Sequence, residues 1–181
     1  LDAARAEGLI ERRDGRIVGW TLTASGRRTG QALLSAELDA AGARGAVTDA
    51  YLDFQALNAE LLSICTDWQT VLVDGDHVPN DHADARRDAA VLARLDVLHP
   101  AALQIAGALA AAQDRFGTYG LRLTAAHENV AAGRPEWLTR ATGASYHGTW
   151  FELHEHLLVV LGIDRVAEAI PAYTPTIVQG D

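Results

Sequence analysis

Two histidines near the C-terminal end stand where chemistry is possible. His147 and His154 are seven residues apart. On a helix, where successive side chains turn by about 100°, they fall beside the apolar stripe of Tyr146, Trp150, Leu153, Leu157 and Leu161. A neutral imidazole on such a face can ligate a metal or hydrogen-bond an anionic ligand, or it can be a core side chain satisfied by a carboxylate or carbonyl. The spacing His-x6-His is no standard metal pattern, so no metal is expected. Two polar islands, Asp67-Trp68-Gln69 and Asn80-Asp81-His82, can join them if helix packing brings Asp67, His82, His147 and His154 together. Ligand sites of helical domains lie between helices and combine apolar walls with a few polar groups. The candidate ligand-binding set is therefore Asp67, Trp68, His82, His147, Trp150 and His154, against the plainer alternative that Asp81 caps a helix and Trp68 is core.

Recognised catalytic signatures fail residue by residue. His154-Glu155-His156 lacks the second histidine that a zincin helix needs at position 158, which is Leu158, and His127-Glu128 fails in the same way at Ala131. Asp74-Gly75-Asp76 opens like a calcium loop, but its sixth position is Pro79 where glycine is required and its twelfth is Ala85 where glutamate is expected. There is no nucleophile elbow and no dinucleotide-binding glycine run. All 15 basic residues are arginine, which removes Schiff-base and P-loop lysine chemistry. Cys65 falls inside an amphipathic stretch, where packing suits it better than nucleophilic work. No cofactor is implied, and a non-enzymatic role is favoured for this chain. A catalytic or metal site lined by the histidines stands as an alternative.

The elements that must position these residues are mostly helical. Thr23 is placed to cap a helix reaching about Ala41, closed by Gly42 and Gly45. Thr48 is placed to cap a longer one, in which Tyr51, Phe54, Leu57, Leu61, Ile64, Trp68 and Leu72 recur in steps of three and four as a core-facing or dimer-facing seam. The stretch from Asp74 to Asp84 reads as a polar loop, with Asp81 or Asp84 starting a helix through Leu95. Pro100 is expected to restart or kink the path. Further helices are expected to about Phe116, from Tyr119 to Ala132, and from Ser145 as N-cap to Leu161 with Gly162 as the stop. No strand-like alternation is expected after Leu22. Before it, Ile10 to Arg13 and Arg16 to Leu22 flank Asp14-Gly15, the dipeptide that a two-residue type I′ turn favours.

Charge divides the chain. Residues 1–30 carry six arginines against four acids, a net of +2, which leaves −11 for the rest of a chain whose total is −9. Phosphate binding draws on clustered positive charge, and only the first hairpin supplies it, through Arg12, Arg13 and Arg16. Hydrophobic residues make up 49%, enough for a sizeable core in a globular fold. The longest apolar run, around Ala101 to Ala112, is shorter than the roughly 20 residues a bilayer needs, so no membrane partner is expected. One cysteine excludes an internal disulfide and fits a reducing cytoplasm.

The segment LDAARAEGLIERRDGRIVGWTLTASGRR, with its GLI-x-R and LT-x-x-G-R elements, resembles the wing of MarR-type bacterial regulators. The resemblance implies the end of a recognition helix, a two-stranded wing with Arg12, Arg13 and Arg16 on DNA, and the start of the next helix. The preceding helices of the reader are expected upstream of Leu1, so DNA binding is expected only with that N-terminal part. The runs LNAELLSICTDWQ, NDHADARRDAAVLARL, RFGTYGLRLTAAHENVAAGRPEWL and SYHGTWFELHEHLLVVLG are similar to a helical domain that follows such a winged helix. A similar unit follows pyruvate phosphate dikinase-like, phosphoenolpyruvate-utilising domains. These runs contain Asp67, Trp68, His82, His147, Trp150, Glu152 and His154. The expected fold is mainly α, with a partial winged helix at 1–24, a helical dimerisation and effector domain at 25–165, and an extended tail at 166–181. The expected partners are a second copy of the chain and a small-molecule effector, with an accessory role in a phosphoenolpyruvate-utilising enzyme as the alternative.

Overall fold

The computed structural model describes residues 1–15, 18–140 and 144–165, and the expected tail at 166–181 lies outside them. The chain is mainly helical, with two antiparallel two-stranded sheets. It divides into two compact units, Leu1–Arg44 with the described residues from His156 onward, and Gly45–Glu155.

The first unit begins with α1 (Asp2–Ala6), which ends where Gly8 takes a left-handed φ of 69° and the Leu9 N–H bonds the Ala4 carbonyl at 2.8 Å. Strands β1 (Ile10–Arg13) and β2 (Gly19–Leu22) pair from Ile10 opposite Leu22 to Arg13 opposite Gly19. The expected two-residue turn at Asp14-Gly15 is absent, since neither residue has a positive φ and the pairing of Arg13 with Gly19 sets a register that a turn of those two residues cannot make. The register is set from the other end. The Thr23 N–H bonds the Leu9 carbonyl at 3.0 Å and its hydroxyl donates to the Gly8 carbonyl at 2.7 Å, which fixes Leu22 against Ile10.

Thr23 also caps α2 (Ala24–Ala40) as expected, its oxygen accepting from the Gly26 N–H at 3.0 Å. A Cβ on Gly26 would stand 1.9 Å from the Leu9 carbonyl oxygen, so α2 passes the start of β1 too closely for any side chain. After Gly42 (φ 63°), Arg44 reaches back through Nη2 to the Ser35 hydroxyl at 2.6 Å and to Asp39. That guanidinium holds the Asp39 carboxyl below its usual range.

The second unit contains α3 (Arg44–Gln69, from Gly45 onward), a hairpin of β3 (Thr70–Val73) and β4 (Asp76–Pro79), α4 (Ala85–Ala112), α5 (Gly117–Ala131), the short α6 (Glu136–Thr139) and the first part of α7 (Tyr146–Leu161). Thr48 lies inside α3 rather than capping it, because the Gly42 turn starts that helix at Arg44. The expected seam is core-facing, with Tyr51, Phe54, Leu61, Ile64 and Trp68 all buried, whereas Leu72 has left the helix for β3 and is 66% exposed.

The β3–β4 hairpin overturns the expectation of no strand after Leu22 and replaces the first half of the expected loop. Asp74 and Gly75 have φ of 52° and 94°, and Val73 pairs with Asp76, the geometry of a two-residue turn with both central residues left-handed. Asp84, not Asp81, caps α4, accepting from the Arg86 and Arg87 N–H groups. Helix α4 runs past Leu95 to Ala112 and through Pro100. Proline inside a helix costs about 3 kcal/mol. Pro100 itself is exposed, while residues on both sides of it, from Val91 and Leu95 to Ile105 and Leu109, are buried and hold the helix on. By length and composition α4 could cross a membrane. Its buried face is that of a core helix, against which α5 packs. Phe54 of α3 stacks on Trp150 of α7 with ring centroids 4.2 Å apart. Ser145 caps α7 through the Gly148 N–H at 3.0 Å, and Gly162 (φ 76°) follows its end, both as expected.

Candidate functional site

Chain direction makes a polar knot just after the second hairpin. Asn80, the residue following β4, donates both amide hydrogens, one to the Trp68 carbonyl and one to Asp88 Oδ1, each at 3.0 Å. Its side-chain oxygen accepts from the His82 N–H at 3.1 Å. That turn holds His82 in the left-handed region at φ 57°, a conformation that persists in a non-glycine residue where its surroundings fix it. Asp88, one turn into α4, lies 2.9 Å from His82 Nδ1 through Oδ2.

Proton accounting settles the tautomer. A carboxylate only accepts, and both Asn80 hydrogens are used, so Nδ1 of His82 carries the hydrogen given to Asp88 and Nε2 is left over for another partner. The His82 ring lies against the Trp68 indole at 4.4 Å between centroids. Trp68, His82 and Asp88 form one wall of a cleft of about 460 Å³, and Pro135, Glu136, Thr139 and Arg140 form the other. That volume is in the range of small-molecule sites. Arg140 lies 3.5 Å over the Trp137 ring, and its buried Nε has no acceptor among the described residues. An oriented imidazole, an aromatic wall and a guanidinium with no hydrogen-bond partner among the described residues make a receptor for a small polar molecule.

The structure divides the other expected site residues. Asp67 is an ion-pair partner of Arg94 at 2.6 Å, in a cluster with Glu60 and Ser63. Trp150 is core, its indole N–H donating to Asn58 Oδ1 at 3.0 Å. His154 is buried, its ring 5.0 Å from that of Phe54. His147 is half-buried on α7, and burial lowers its pKa. The anticipated convergence of Asp67, His82, His147 and His154 is thus replaced by separate partners, and only Trp68 and His82 share a cleft. The reason is that α3 turns Asp67 towards Arg94 on α4, whereas the β3–β4 reversal carries His82 back to Trp68. Arg12 and Arg13 lie exposed on β1, pairing with Asp14 at 3.0 Å and Glu11 at 3.9 Å, and Arg16 lies outside the described residues.

Sequence reasoning missed a second buried polar group. His99 and His127 stack in parallel at 4.0 Å. His99 Nδ1 meets the Tyr146 hydroxyl at 3.1 Å, and His127 Nε2 meets Asp96 at 2.8 Å. Burial, with the neighbouring His127, depresses the His99 pKa to about 4. Burial raises that of Tyr146. The signal was present in the sequence, since His99 occupies the apolar stripe of α4 between Leu95 and Ala102. Arg140 gave none, because its value depends on what stands across the cleft. Burial also pushes the Cys65 thiol up to about 12, so it is held neutral. Among the described residues no group of three or more His, Cys, Asp or Glu side chains is placed to hold a metal ion.

No protein-family model, curated protein or solved structure matches this chain.

Proposed function

We propose that this chain carries the wing and the C-terminal helical body of a MarR-like winged-helix transcriptional regulator, acting in the cytoplasm as a homodimer whose body holds a small-molecule effector. The supporting observation is the junction at Gly26. The residues of the GLI-x-R and LT-x-x-G-R elements are the ones that bond each other, with the Thr23 hydroxyl on the Gly8 carbonyl and Gly26 directly under the Leu9 carbonyl. The order α1, β1, β2, α2 with arginines on an exposed hairpin is what a wing requires.

In this reading Arg12, Arg13 and Arg16 meet phosphates beside the groove, while base reading belongs to an N-terminal recognition helix. The effector sits in the Trp68–His82 cleft and biases the spacing of two DNA heads. The dimer face is α2, whose Leu33 is 66% exposed, rather than α3, whose seam is buried.

The test is fluorescence anisotropy with the full-length product and DNA from its own promoter region, across a salt series. Replacing Arg12 and Arg13 by alanine should weaken binding several-fold. The salt slope should also fall by about one for each lost phosphate contact. Absence of specific binding by the full-length protein, or an unchanged slope in the double variant, overturns the reading.

A further inference from the structure

We propose that the cleft beside the second hairpin binds a small organic oxyanion, a carboxylate or phosphate on an apolar body, with Arg140 as its charge partner. This deepens the effector role proposed above and rests on it for what the binding achieves.

The arginines of the chain are not all engaged in the same way. Arg44 holds Asp39, Arg94 bridges Glu60 and Asp67, and Arg122 pairs with Glu152 at 2.6 Å. Arg87 has an unsatisfied Nη1, but its Nη2 is tied to the Thr70 carbonyl at 2.8 Å and it does not line the cleft. Arg140 differs from all of these. It is half-buried and fixed over Trp137, and its guanidinium, with Nε buried, has no hydrogen bond or ion pair among the described residues. A buried donor without an acceptor is costly, and a guanidinium set on an aromatic face is weakly hydrated and already oriented. An oxyanion satisfies it in the geometry for which a planar fork is suited.

The opposite wall fixes the rest of the ligand. Trp68 offers apolar surface, and His82 offers Nε2, the ring nitrogen that Asp88 leaves free. Asp88 and Glu136 also line the cleft. Asp88 is occupied by Asn80 and His82, but the two acids together disfavour a polyanion, so the cleft suits a molecule with one anionic group and not a nucleic-acid backbone.

Calorimetric titration with hexanoate, hexyl phosphate and hexan-1-ol, in the absence of DNA, tests this directly. At least one anion should bind about tenfold or more tightly than the alcohol. Arg140→Gln should abolish that preference with an unchanged melting temperature, and Arg140→Lys should restore part of it. In NMR spectra of the same samples, Trp68 and His82 ring signals should move on titration. Equal binding of all three compounds, no binding at millimolar concentration, a preference that survives Arg140→Gln, or unmoved Trp68 and His82 signals each overturn the proposal. Should Arg140→Gln unfold the protein, Arg140→Lys and the ring signals decide. Anion binding with no promoter binding by the full-length protein would remove the regulator reading alone. Promoter binding without anion preference would remove this one alone.

Discussion

Two Asp-Gly pairs lie in the two hairpins of this chain, yet only one makes the turn that the dipeptide favours. At Asp74-Gly75 both residues are left-handed and the strands reverse across them directly. At Asp14-Gly15 neither is, and a longer connection intervenes. The difference comes from what holds the strands. The first hairpin is pinned at its open end, where Thr23 and Gly26 lock onto Gly8 and Leu9, and that lock sets a register incompatible with a two-residue turn. The second is also tied at its open end, by the Asn80 N–H on the Gln69 carbonyl at 2.8 Å and the Asn80 amide on the Trp68 carbonyl, but in a register that leaves two residues between the strands, so tie and turn agree. A local turn signal decides only where no longer-range contact overrules it.

The largest expected effect tests the clamp. Gly26→Ala should destabilise the first hairpin by roughly 3 kcal/mol or more, since the Leu9 backbone would have to move. Gly30→Ala, in the same helix with open space around it, should stabilise by up to about 1 kcal/mol. Thermal melts and amide exchange at residues 9–22 would show it, and equal effects at the two glycines would remove the clamp from the account.

Acid should separate the two hairpins next. His99 has an ordinary value of 6.5 and a folded value of about 4, so its neutral form is favoured by folding. The contribution of His99 is fully present above pH 6.5 and is lost as pH falls towards 4, by up to about 3 kcal/mol, because the unfolded chain takes the proton first. Exchange protection of the β3–β4 hairpin should decline with its unit, and His99→Gln should flatten the profile. A flat profile in the unmodified protein would contradict the buried imidazole.

Smaller effects follow. Asn80→Ala should cost the second unit about 1–2 kcal/mol in urea melts, because it frees the Trp68 carbonyl and one side of Asp88. Gly75→Ala should cost about 1 kcal/mol, while Gly15→Ala should be near neutral. The reverse order would mean that the first turn, too, depends on glycine. Smallest of all, Arg12→Ala and Arg13→Ala should alter stability by less than about 0.5 kcal/mol, since both ion pairs are exposed.

Much of the helical framework was legible. Thr23, Ser145, Asp84 and Gly162 act as the caps and stops that their chemistry suggests, and the three-four spacing of Tyr51 to Trp68 marked the core face of α3. The second hairpin was hidden because Thr70-Val71-Leu72-Val73 continues the apolar run of the helix before it, and four residues carry too little period to mark the change. The candidate site was half legible. Trp68, Asn80 and His82 stood out as polar islands, but nothing in their local sequence distinguishes Asp88 or Arg140 from the other charged residues.

The residue order by itself determined where helices start and stop, which faces of them are apolar, and that arginine alone supplies positive charge, because these depend on side chains within a few positions of each other. Tertiary structure alone decided which Asp-Gly pair becomes a tight turn, that His99 and not His147 meets a second imidazole, and that Arg140 stands across a cleft from His82. Each of these depends on residues 15 or more positions apart, where packing geometry rather than local propensity selects the neighbour.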